Sequence, residues 1–95
     1  MHAADIPRWV ITVEYPGVLP SGSGVDGDPG DSRVTPVAIS TIGDRSTHLS
    51  AFVAASTQQQ AREIGVSGVG RWAEQIGLDA ANPTVVSLFP QGAAS

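Results

Sequence analysis

The chain reads as a small α+β domain: a three- to four-stranded, mainly antiparallel sheet covered on one face by a single helix, in the order β, loop, β, β, α, β. Three observations predict it. Arg8 to Tyr15 is rich in β-branched and aromatic residues, and the strand period of two puts Trp9, Ile11, Val13 and Tyr15 on one face. Val34 to Ile42 and Thr47 to Ala55 are two further β-rich runs, joined by the polar linker Gly43-Asp44-Arg45-Ser46, which is of hairpin length. Beyond Ser56 the apolar residues return at helical rather than strand spacing.

Each element has its own start and stop signals. Pro16 and Gly17 end the first strand, and from Val18 to Ser32 the chain is mostly Gly, Pro, Ser and Asp, a long loop at 18–32. In the third strand Leu49, Ala51, Val53 and Ala55 face one way while His48, Ser50, Phe52 and Ala54 face the other. Both faces are therefore partly apolar, which suits a central strand.

Ser56-Thr57-Gln58-Gln59 fits a capping box that opens a helix over Thr57 to Ile76. Ala61, Ile64, Gly65, Gly68, Val69, Trp72 and Ile76 fall within an arc of about 140° on that helix, with Glu63, Gly70, Arg71 and Glu74 outside it. Gly77 is placed to cap its end, with Leu78 as the accompanying hydrophobic contact. Gly65, Gly68 and Gly70 cost about 1 kcal/mol each relative to alanine in a helix interior. Two readings follow: a break near Ser67, or a close approach in which Gly65 and Gly68 let the helix lie against the sheet or against another subunit. Asn82-Pro83 makes a turn, Thr84 to Leu88 is a last short strand, and 90–95 is a small flexible tail. Residues 1–95 make a single domain on this reading, because a chain of this length closes one modest core.

Composition removes whole classes of chemistry. There is no cysteine and no lysine, so this chain by itself builds no thiolate nucleophile, thiolate zinc site, Schiff-base lysine or phosphate-loop lysine. The five arginines, Arg8, Arg33, Arg45, Arg62 and Arg71, are scattered, and the net charge is −4, which argues against nucleic acid as a partner. No apolar run approaches the roughly 20 residues of a membrane span. The opening Met-His-Ala-Ala-Asp-Ile-Pro lacks the pattern of a signal peptide, so the expected location is the cytoplasm or a virion.

Candidate sites are few, and each has a plain alternative. Gly22-Ser23-Gly24-Val25-Asp26-Gly27 matches the dinucleotide fingerprint in letters, but no helix can start directly after it to receive a pyrophosphate. Asp26, Asp28 and Asp31 could offer hard oxygen ligands to calcium, yet Val37 stands where an EF-hand loop needs its last carboxylate. Gly65-Val66-Ser67-Gly68-Val69 departs from the nucleophile elbow at Val69. His48 is the one histidine away from the N-terminus that could serve as a base, and a hydrogen-bonded strand residue is its commoner fate. Glu63 and Glu74 share a helix face but stand roughly 16 Å apart, too far for paired-carboxylate hydrolysis. No cofactor is expected.

Among the aromatics, Trp9, Tyr15, Phe52 and Trp72 fit core positions, whereas Phe89, between Leu88 and Pro90, is placed to anchor a partner. One helix covers one face of the sheet. If the Phe52 side of the third strand, or Val37, Ile39 and Ile42, are left open, the second face meets solvent, another copy of the chain or another protein. The sequence thus points to a non-enzymatic structural or accessory subunit of a larger assembly, such as a phage virion component. It would work through protein contacts, copies of itself included, with Leu19, Val25, Gly65, Gly68 and Phe89 as interface residues. A calcium- or ligand-binding regulatory domain is the alternative reading, and a cofactor-free enzyme ranks last.

Overall fold

The computed structural model describes residues 6–17, 30–43 and 45–91. Its order is β1 (Arg8–Pro16), β2 (Val34–Ile42), β3 (Ser46–Ala54), α1 (Gln58–Gln75) and β4 (Thr84–Pro90). The strands form one antiparallel sheet in the order β2-β3-β1-β4, with α1 packed across all four, so the fold is the small α+β arrangement the sequence predicts. β3 is central, as its two half-apolar faces require. The hairpin turn is one residue shorter than expected, because Ser46 pairs with Ile42 and Gly43 takes a positive φ of 61° to close the loop.

The core lies between α1 and one face of the sheet. Ile11, Val13 and Tyr15 of β1, Leu49, Ala51 and Val53 of β3 and Val34 of β2 meet Ala61, Val69, Trp72 and Ala73 of α1. Trp9 closes one end of this layer, with its indole Nε1 donating to the Ala55 carbonyl at 3.0 Å. Thr47, a buried polar residue, is satisfied by donating to the Gly17 carbonyl at 2.9 Å.

The helix is continuous, and the glycines explain how it is seated. A Cβ placed on Gly65 would stand 2.8 Å from Ile11 Cδ1 and 3.2 Å from Val53 Cγ2. One on Gly68 would stand 2.7 Å from Val34 Cγ2 and 3.1 Å from Val34 Cβ. Both glycines are buried against the sheet, so the close approach is to the chain's own strands and neither glycine presents a face to another subunit. Gly70 is different: its nearest neighbour would be Tyr15 Oη at 3.9 Å.

The start of the helix lies one residue later than the Ser56-Gln59 capping box implies. Thr57 is the N-cap, accepting from the Gln60 amide at 3.1 Å, while Gln60 Oε1 accepts from the Ser56 amide at 3.1 Å. A run of three glutamines offers a reciprocating side chain in more than one register, which is why spacing alone picked the wrong one. The C-terminus is a Schellman motif: Leu78 N–H donates to the Ala73 carbonyl, Gly77 N–H to that of Glu74, and Gly77 has φ 99° with Leu78 buried behind it.

Two consequences of the glycine seat can be measured by urea denaturation. Gly68→Ala forces a methyl into the stiff, β-branched Val34 and is expected to destabilise the protein by about 1–3 kcal/mol, despite the better helix propensity of alanine. Gly70→Ala has room and is expected to stabilise it by about 0.5–1 kcal/mol. Equal effects at both positions would contradict the seating described here.

Candidate functional site

α1 covers one face of the sheet, and among the described residues no element covers the second. Strand register organises it into rows that run across the sheet. Arg8 pairs with Ala54 at one end. Next comes an apolar row, Thr35–Phe52–Val10–Phe89, then a row of small residues, Ala38–Ser50–Thr12–Ser87, in which the Thr12 and Ser50 hydroxyls bond at 2.9 Å. The following row is Ser40–His48–Glu14–Thr84. The face therefore carries a cation at one end, an acid toward the other, and apolar surface between them.

Phe52 belongs to this face and not to the core, correcting the sequence expectation. Period-two alternation sends Leu49, Ala51 and Val53 inward and Phe52 outward, where Arg8 Cζ sits 5.4 Å from the ring centroid. Phe89, opposite Val10 on the same row, is 51% exposed. Ile39 is not on this face. A β-bulge between Pro36 and Ala38 shifts the phase of β2, leaving Val37 unpaired and 45% exposed and turning Ile39 to the core side.

A second bulge, on β4, leaves Val86 unpaired and 49% exposed. Both bulges lie at the level of the small-residue row, one on each edge strand. Each edge strand also carries a proline, Pro36 in β2 and Pro90 in β4. Bulges and prolines on edge strands are devices that discourage edge-to-edge pairing. The edges are thus blunted, and among the described residues no element covers the face.

The titratable groups on the face are Glu14 and His48. Glu14 Oε2 accepts from the Ser46 hydroxyl at 2.9 Å and lies 3.3 Å from His48 Nε2. The acid stands between the hydroxyl and the imidazole, so the hydroxyl–imidazole bond that activates a serine nucleophile is not formed. Asp31 forms a two-pronged pair with Arg33, at 2.9 and 2.7 Å, and also accepts the Arg33 amide. The Arg33 guanidinium holds its carboxyl down to about 2. Asp26 and Asp28, like Leu19, Val25, the Gly22–Gly27 stretch and 18–29 of the long loop, lie outside the described residues. Among the described residues no group of three or more histidines or carboxylates is placed to hold a metal ion, and no helix is long and apolar enough to cross a membrane.

Two buried polar atoms, Tyr15 Oη and Trp72 Nε1, have no hydrogen-bond partner among the described residues. Burial, reinforced by the charge of Glu74, pushes the Tyr15 phenol up to about 12, the opposite of what a catalytic phenolate needs. A depression of about 580 Å³ between α1 and β4 is lined by Gln59, Arg62, Glu63 and Val66 among others, without a convergent polar set. Glu63 and Glu74 are exposed on α1, as expected of a solvated helix surface. No protein-family model, curated protein or solved structure matches the chain significantly.

Sequence reasoning missed the two bulges and the exposure of Val86, while it placed Val37 among the residues that could be left open. The available signal was Pro36 inside a strand pattern, which marks an edge or a bulge.

The single tyrosine makes its environment directly measurable. Absorbance at the phenolate band is expected to titrate near pH 12 in the folded chain. The folded phenol titrates above its ordinary value of 10.0, so its contribution to stability is complete below that value and is lost as pH rises through about 12. A midpoint near 10 in the folded protein would show Tyr15 to be solvated.

Proposed function

We propose that the protein is a non-enzymatic structural or accessory subunit of a larger protein assembly, and that it works through protein contacts made by the open face of its sheet. The observation that carries this reading is the row Thr35–Phe52–Val10–Phe89, which no other described element covers, in a chain whose only described helix is spent on the opposite face. An exposed Phe89 and a half-buried Phe52, flanked by an arginine and a polar margin, have the composition of a contact surface. The blunted edges add to it: they direct association away from the backbone ladder and onto side chains. A role of this kind in a virion would fit the small size and the absence of cysteine and lysine.

The reading is tested with a photo-crosslinking amino acid at Ser87, on the face, and separately at Glu63, on the exposed surface of α1, in cells that naturally make the protein. Adducts are identified by peptide mass. The expected result is a defined protein adduct at Ser87, whether to this chain or to another, and none at Glu63. Equal yields at the two positions, or adducts at Glu63 alone, would contradict it.

A further inference from the structure

We infer that the partner of the open face is a second copy of this chain, stacked face to face about a twofold axis that runs across the strands between the Val10 and Thr12 rows. This inference rests on the contact-face reading above. It comes from the order of the rows. Along β1 the outward residues are Arg8, Val10, Thr12 and Glu14, evenly spaced at two residues each. A twofold axis parallel to the rows, passing between Val10 and Thr12, reverses strand direction and maps each row onto another. The Arg8 row then lies over the Glu14–His48 row of the other copy, twice. The Phe52–Val10–Phe89 row lies over Ser50–Thr12–Ser87, twice.

Three features of the face fit this operator. The first is charge. Arg8 forms no ion pair among the described residues and only covers Phe52, while Glu14, with a 37% exposed side chain, stands at the opposite end of the face, 3.3 Å from His48 and lining a depression together with Arg45. The other in-plane twofold, parallel to the strands, keeps every row at its own level, so the Arg8 ends of the two copies lie together and the Glu14–His48 ends lie together, and Arg8 gains no acid to meet. The remaining cation at the basic end, Arg33, is already neutralised by Asp31.

The second is shape. The aromatic row is bulky and the row it would meet is made of Ala, Ser and Thr, so large side chains face small ones across the interface. The unpaired Val37 and Val86 stand at the two ends of that small row.

The third is area. Four strands of about eight residues cover roughly 500 Å² of sheet, so the pair buries roughly 1,000 Å², at the threshold for a specific interface. The expected dimer is therefore reversible and concentration-dependent, as suits a building block that assembles.

Sedimentation equilibrium of the full chain tests the proposal, with Arg8→Glu and Glu14→Arg as separate variants and circular dichroism to check that each is folded. The native chain is expected to dimerise, and each single reversal to weaken the dimer at least about tenfold by placing like charges together twice. An equimolar mixture of the two folded variants is expected to recover native-like association, because each then meets its opposite at both contacts. The double variant should recover it alone. A native chain that stays monomeric at millimolar concentration overturns the inference, and if Ser87 still crosslinks to a different protein, the contact-face reading stands without it. A dimer indifferent to both reversals, or one not restored by mixing, overturns the operator.

Discussion

The distance between helix and sheet is the constraint from which the rest of the structure follows. α1 comes close enough that a methyl at Gly65 or Gly68 would collide with Ile11, Val53 or Val34. That approach seals one face of a four-stranded sheet with a single helix and lets Trp72 and Tyr15 be fully buried in a chain of 95 residues. A helix interior with glycines at 65, 68 and 70 is poor on propensity alone, so tertiary packing and a strong cap at each end must hold it. The same economy leaves no second helix among the described residues for the other face.

What covers that other face is then the functional question, and the edges narrow the answer. β2 and β4 each carry a bulge and a proline, so growth of the sheet by strand addition is discouraged on both sides. Stacking on the face remains. The face is patterned along the strand direction, with Arg8, an apolar row, a hydroxyl-rich row and Glu14 in sequence, and such a gradient is complementary to its own reversed image. On the same surface Glu14 stands between the Ser46 hydroxyl and the His48 imidazole.

Much of this was legible in the sequence, for reasons that can be named. Alternation with period two in Arg8 to Tyr15 and Thr47 to Ala55 gives both strands and their inward residues, and Gly77-Leu78 announces the end of the helix. Other features were not legible because they depend on pairing. A bulge is a relation between two strands, so the reversal of phase that exposes Val37 and turns Ile39 inward leaves no periodic trace in β2 alone. Phe52 is aromatic and sits in a central strand, which suggests the core until it is known that the one helix among the described residues lies on the other side. The N-cap slipped by one residue because Gln59 and Gln60 are chemically identical reciprocating partners.

The central claim is that the face bearing Phe52 and Phe89 is exposed in the isolated chain and becomes covered on association. Hydroxyl-radical footprinting across a concentration series reads this side chain by side chain. The account predicts that Phe52 and Phe89 are oxidised readily in dilute protein and become protected as concentration rises, while Tyr15 and Trp72 stay protected throughout. Phenylalanines that are protected at the lowest concentration, or that remain equally reactive at the highest, would contradict it.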